Sequence, residues 1–317
     1  MKIVPSKIRL DASTVCQLKC PSCPNTLGLI AKNLGAQFLK FEDFKKIVDA
    51  NPWIRAIELS NWGEIFLNPH LMKIAEYAAK KRVVLNAATG VNSNTVKEEM
   101  LEGVVKYQFG VISFSIDGGS PETYKIYRRA GDFKTVIANI RKINEFKVKY
   151  RSVLPKLLWQ FLVFKHNEHE IPKAWKMARS LGMEFYLKPS GGGFSGVKNT
   201  ERVRKMARLF SARGGITADG RGQRKCSQLW IQPQINSDGR VLGCCANYWG
   251  DYGNVFQGDL IGILNNERMN YARTMLLGRK KERKDIPCTQ CSQYQRMKET
   301  NTWLFSSRKG WGAFYDH

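Results

Sequence analysis

The chain has 317 residues, 43% of them hydrophobic and 11% aromatic, which is enough for a sizeable core in one large domain or two modest ones and excludes disorder as the main state. No apolar run approaches the length of a membrane span and the N-terminal stretch lacks a signal-peptide pattern, so a soluble, cytoplasmic, monomeric protein is the expectation. Lys and Arg number 51 against 27 Asp and Glu, a net charge of +24 that favours anionic partners or substrates and decides neither fold nor reaction.

In chain order, short β-branched and apolar runs predict strands over 8–13, 56–61, 83–89, 111–117, 157–164 and 184–189. Helical periodicity fills the gaps over 41–50, 69–81, 93–103, 133–150 and 170–182. The repeated strand, helix, strand order predicts an α/β fold with a parallel sheet and right-handed crossovers, either doubly wound or a barrel short of eight units. From Ser190 to Gly196 the texture turns Gly- and Ser-rich, as in a linker, and a basic helical stretch follows over 200–215. Beyond it, two short apolar runs flank Ser237-Asp238-Gly239, a hairpin signal. The division expected is a core over 1–190, a linker with a basic helix over 191–225, and a C-terminal domain over 226–317.

Eight cysteines in a reducing compartment call for metal or reactive-thiol chemistry rather than disulfides. Cys16, Cys20 and Cys23 stand with three and then two residues between them, just after the first predicted strand. Three thiolates so close in sequence can wrap one soft metal centre, and a four-iron cubane held by them keeps one iron without a protein ligand. Tetrahedral zinc is the competing reading, and it asks for a fourth Cys or His nearby. A second group comprises Cys226, the pair Cys244-Cys245 seventeen residues on, and Cys288 with Cys291 in a CxxC. One thiol before the hairpin, one after it and a closing CxxC can converge on a second metal, iron–sulfur or zinc. A non-enzymatic zinc protein directed at nucleic acid is the distant alternative, but no run of basic residues interleaved with aromatics supports it.

The CxxxCxxC after the first strand of a βα series resembles the radical S-adenosylmethionine (radical SAM) superfamily, over residues 8 to 190. The resemblance implies a partial (β/α)6 TIM-like barrel in which Cys16, Cys20 and Cys23 hold a [4Fe-4S] cluster. In that family the open iron binds the amino and carboxylate groups of S-adenosylmethionine, and electron transfer yields a 5′-deoxyadenosyl radical that abstracts hydrogen from a substrate. A reducing partner such as flavodoxin or ferredoxin is implied with it. Gly63 and Glu64, in Ser60-Asn61-Trp62-Gly63-Glu64, are similar to the family's Gly-Gly-Glu motif, with Glu64 as acceptor for the S-adenosylmethionine amino group. Ser115, in Ser115-Ile116-Asp117-Gly118, resembles a segment near the methionine and ribose, and Arg128 the arginine at the carboxylate. Where the family often carries an aromatic residue before the third cysteine, this chain has Ser22.

The second cysteine group resembles the twitch domain, a shortened relative of the SPASM domain, with one auxiliary [4Fe-4S] cluster on Cys226, Cys244, Cys288 and Cys291. Cys245 is then left over, because neighbouring side chains of an extended segment alternate in direction, although the two adjacent cysteines could exchange roles. In similar epimerases of peptides or aminoglycosides such a thiol returns hydrogen to the substrate radical. The resemblance therefore implies epimerisation of a carbon centre in a peptide, sugar or aminocyclitol, with Cys245 as donor. Dehydrogenation through the auxiliary cluster is the alternative.

Overall fold

The computed structural model describes residues 2–189, 196–211 and 226–304. Six strands follow one another in the core: β1 (Lys7–Leu10), β2 (Ala56–Glu58), β3 (Val84–Val91), β4 (Val111–Ser115), β5 (Lys156–Val163) and β6 (Glu184–Pro189). Each begins within one residue of a run singled out by its β-branched and apolar content, although β1 and β2 end three residues short of theirs. Between them lie α1 (Leu29–Leu34), α2 (Phe41–Ala50), α3 (Leu71–Lys80), α4 (Glu98–Lys106), α5 (Pro121–Tyr127), α6 (Phe133–Lys149) and α7 (Ile171–Ser180), with α8 (Thr200–Phe210) after β6.

All strand pairs are parallel, in the order β6-β5-β4-β3-β2-β1-β7. Among the described residues β6 and β7 do not pair, so the sheet is an open, partial barrel. The seventh strand, β7 (Gln234–Ile235), comes from the C-terminal region and docks on β1, with Arg9 opposite Gln234 and Leu10 opposite Ile235. The hairpin signal is realised next to it: Ile235 bridges Val241 in antiparallel sense, and Gly239 turns the chain at φ +86°, a conformation that glycine adopts without a Cβ penalty. The first arm of that hairpin thus extends the barrel sheet.

The alternation of side chains sorts the sheet into two faces. Ile8, Leu10 and Ala12 are fully buried in the apolar cluster that also takes in Phe44 and Ile47 of α2 and Ile74 of α3. Arg9, on the other face, spans β2 to donate to Thr89 of β3 at 2.6 Å and reaches Gln234 of β7 at 2.8 Å. This is the concave face of the partial barrel, opposite the one packed under α2 and α3. Two helices are started by local chemistry: Asp132 caps the N-terminus of α6 by accepting from the Thr135 N–H at 2.6 Å, and Ser120 caps that of α5 ahead of Pro121.

Two departures from periodicity have local causes. The helical pattern over 93–103 begins only at Glu98, because Asn92 Oδ1 accepts from the Asn94 N–H at 3.0 Å and Ser93 sits at φ 47°, an Asx-type turn that competes with helix. Helix α5 lies where no helix is predicted, although Ser120-Pro121-Glu122 is a helix-start signal. Most of the Gly/Ser-rich stretch and the end of the basic helical stretch fall outside the described residues.

Candidate functional site

The first cysteine group lies on the loop that leaves β1 at the carboxyl ends of the strands. That loop is tied to its surroundings by backbone bonds, from the Glu64 N–H to Val15 O at 2.8 Å and from the Lys19 N–H to Arg129 O at 2.9 Å. Gly63 has no room for a side chain, since an added Cβ would meet Val15 O at 2.6 Å. The Trp62-Gly63-Glu64 segment is therefore pressed onto the cysteine loop, which gives Gly63 a packing reason for its identity. Cys20 is buried with Leu18, Tyr127 and Phe164, and Cys16 and Cys23 pack against the same patch.

Two donors approach these sulfurs. Arg128 Nη1 lies 3.8 Å from Cys20 Sγ and Asn92 Nδ2 lies 3.6 Å from Cys16 Sγ. Burial pushes the Cys16 thiol up to about 12, and burial raises Cys20 while Arg128 pulls it back. Such thiols keep their protons until a metal supplies the compensating charge, so metal binding releases them. Three soft ligands on one apolar patch fit an iron–sulfur cluster bound from one side.

Glu64 is almost fully buried, and its carboxylate accepts from the Asn92 N–H at 2.6 Å and the Phe66 N–H at 3.2 Å. Burial pushes this carboxyl up to about 7, with the amides of Asn92, Phe66 and Ser93 drawing it back. Arg128 is held by an ion pair to the fully buried Asp117, Nε to Oδ2 at 2.6 Å, and its guanidinium lies 5.4 Å from the Tyr127 ring centre. Asp117 in turn accepts from the Leu162 N–H at 2.7 Å, so β5 fixes the arginine. Ser115, at the end of β4, is close to Gln160 Nε2 at 3.5 Å and stands over Gly90, whose φ of +140° and missing Cβ make room for it.

At the other group, Cys226, Cys244, Cys288 and Cys291 line one cavity together with Leu229, Leu242, Leu276, Trp249, Pro287 and Tyr294. Burial raises the thiols of Cys226 and Cys244 and lifts Cys288 to about 11. Four thiols around an apolar hollow are a donor set that fits a cluster with full protein ligation. Among the described residues no three His, Cys, Asp or Glu side chains stand close enough together to hold a single metal ion.

Cys245 does not line that cavity. The cause differs from strand alternation: residues 244–247 form a turn, closed by the Asn247 N–H on Cys244 O at 3.2 Å. The Cys245 N–H donates to Gln228 Oε1 at 2.8 Å, and its carbonyl accepts from Asn61 Nδ2 at 3.1 Å. Asn61 precedes Trp62-Gly63-Glu64, and Trp62 meets Tyr248 edge to face at 5.6 Å. The turn that carries Cys245 is thereby fastened to the lip of the barrel beside the first site.

A further feature escaped the motif reading. Asp11, one residue beyond β1 on the concave face, is 1% exposed, yet neither carboxylate oxygen has a hydrogen-bond partner. The Trp62 N–H and the Asn61 amide are the nearest donors and, with Arg9, only partly offset burial, which pushes the carboxyl up to about 8; Glu58 adds to the rise. The register continues to Asn236, whose buried amide is unpartnered at both atoms, and then to Ser237, whose hydroxyl is unpartnered. An unfolded Asp titrates near 3.9, so between about pH 4 and pH 8 the folded chain keeps a proton that the unfolded chain has released, and stability falls as pH rises through that window. Asp11→Asn removes this loss. It is expected to gain on the order of a few kcal/mol over the wild type from about pH 5 to about pH 8, read as urea midpoints, and parallel midpoints at both pH values would refute the burial argument.

The radical SAM superfamily model matches residues 11–178, and the model of an iron–sulfur cluster-binding domain, SPASM, matches residues 226–292. The chain belongs to the radical SAM superfamily. It is a radical SAM enzyme with a SPASM/twitch-type region, and its cofactors are [4Fe-4S] clusters and S-adenosylmethionine. Among curated proteins it is 26% identical over 192 residues to the antilisterial bacteriocin subtilosin biosynthesis protein AlbA of Bacillus subtilis, covering 58% of this chain and 39% of that protein. It is 24% identical over 176 residues to a GTP 3′,8-cyclase of Desulforamulus reducens, covering 55% and 52%. The chain thus spans about half or less of the length of these relatives. Among solved structures it superposes on Streptococcus suis SuiB bound to S-adenosylmethionine with a TM-score of 0.66 at 13% identity, covering 92% of this chain and 71% of that one; SuiB is also solved with its precursor peptide SuiA. No helix among the described residues is long and apolar enough to cross a membrane.

Proposed function

We propose that this enzyme epimerises a carbon centre of a peptide or of a sugar or aminocyclitol, with Cys245 as the hydrogen donor. The observation that carries this reading is the position of Cys245: outside the cavity of the other four C-terminal cysteines, and tied by Asn61 to the lip of the barrel. When bound, the cluster and S-adenosylmethionine supply a 5′-deoxyadenosyl radical that removes a substrate hydrogen. Cys16, Cys20 and Cys23 hold that cluster in this reading, with Gly63 and Glu64 shaping the loop beneath it and Arg128 and Ser115 facing S-adenosylmethionine. Cys226, Cys244, Cys288 and Cys291 hold the auxiliary cluster. A core over 1–190 and an auxiliary domain over 226–317 share the sheet through β7 in this arrangement.

The substrate lies at the carboxyl end of the barrel in this reading, near the unpartnered polar atoms of Asp11 and Asn236. A peptide is supported by the likeness to SuiB, which is solved with a precursor peptide. A flavodoxin- or ferredoxin-type protein supplies the electron. The experiment is turnover in deuterated water. A thiol hydrogen exchanges with solvent, so the inverted product is expected to gain one deuterium, whereas a dehydrogenase yields an oxidised product without uptake and would overturn the reading.

A further inference from the structure

Beside the four-thiol cavity stands one hydroxyl with a defined aim. Tyr252 is 2% exposed, and its Oη lies 3.3 Å from Cys288 Sγ. Its position is fixed from several sides. The Tyr252 N–H donates to Val241 O at 2.9 Å and its carbonyl accepts from Asn266 Nδ2 at 2.8 Å, so the backbone is held by both neighbouring segments. The Arg268 guanidinium lies 5.8 Å from the ring centre. On another side the ring presses on Gly243, where an added Cβ would meet Tyr252 Cε2 at 2.9 Å; Gly243, at φ +83°, immediately precedes Cys244. A glycine there lets the aromatic ring reach in beside the cysteine turn.

In the free protein either partner of the Tyr252–Cys288 contact could donate. A thiolate that binds iron has no hydrogen to give, so the phenol is then the only donor of the pair. A hydrogen bond to a ligating sulfur withdraws electron density from the cluster and favours its reduced, more negative state, one of the levers by which a protein sets the potential of an iron–sulfur centre. We infer that Tyr252 is a positioning residue that raises the reduction potential of the auxiliary cluster by donating its hydroxyl hydrogen to Cys288. The inference rests on the proposed ligand set of that cluster. It makes the C-terminal centre easier to reduce than its four thiolates alone would, so that a flavodoxin- or ferredoxin-type reductant can fill it; a thiyl radical on Cys245 is oxidising enough to take that electron, with a proton, and return to the thiol.

The test is a redox titration of the reconstituted holoenzyme followed by electron paramagnetic resonance, wild type against Tyr252→Phe. The Cys16, Cys20, Cys23→Ala triple variant identifies which signal belongs to which cluster. Tyr252→Phe is expected to keep all its iron, to lower the auxiliary midpoint potential, to leave the other cluster's potential in place, and to lose one exchangeable-proton coupling after transfer to deuterated water. An unchanged or raised auxiliary potential with full iron overturns the inference, as does loss of the cluster in Tyr252→Phe alone, which would make the tyrosine a structural prop. Absence of the second cluster from the wild type would instead overturn the ligand set on which the inference stands.

Discussion

Replacing Cys16, Cys20 and Cys23 together by alanine is expected to abolish 5′-deoxyadenosine formation under dithionite while about four of about eight irons per chain remain bound. The three thiols share one apolar patch with Leu18, Tyr127 and Phe164, and among the described residues that patch holds no other thiol, the usual ligand of an iron–sulfur cluster. Four of the five cysteines of the second group line a separate cavity, so they keep their cluster. Fold stability of the cluster-free protein should change little, because burial raises the Cys16 and Cys20 thiols and so keeps them neutral, and a methyl group fills part of the same apolar space. Iron analysis and chromatography of the reaction mixture read both outcomes. Full cleavage of S-adenosylmethionine by the triple variant would refute the assignment of these cysteines.

Cys245→Ala is expected to separate radical formation from product formation. The variant should carry both clusters and still generate 5′-deoxyadenosine with substrate present, yet give inverted product reduced by about a hundredfold or more, a loss in the range found when a positioned proton- or hydrogen-transfer group is removed. The reason is geometric. Cys245 stays outside the four-thiol cavity because the chain turns at 244–247, and the bonds from Asn61 and to Gln228 involve its backbone, so alanine preserves them. Loss of about four irons in this variant would make Cys245 the auxiliary ligand and pass the donor question to Cys244. Unaltered inversion with both clusters intact would end the proposal that this thiol acts.

Much of the core was legible because it is local. A strand buried on one face and packed under helices needs β-branched and apolar residues in short runs, so the six strands could be placed from composition, and the amphipathic spacing of Phe44, Ile47 and Val48 or of Val136, Ile140 and Ile143 marks helices by itself. The cysteine spacing is likewise a property of the chain, since thiolates seven residues apart can reach one cluster whatever the rest of the fold does. Glu64 was legible as part of a motif. Its bonds to the Asn92 and Phe66 amides were not, because they depend on where β3 ends in space.

That this is a βα chain with two thiol groups and a hairpin turn at Ser237-Asp238-Gly239 can be read from residue order, because periodicity, ligand spacing and turn chemistry act over a few residues. Tertiary structure alone decided that Gln234 and Ile235 extend the barrel sheet beside β1, that Arg128 is held by Asp117, that Asp11 is buried without a partner, and that Tyr252 faces Cys288. Those outcomes join residues between 11 and 225 positions apart, and they follow from strand order, burial and the cost of leaving polar groups unpaired, none of which is written in any single stretch of the chain.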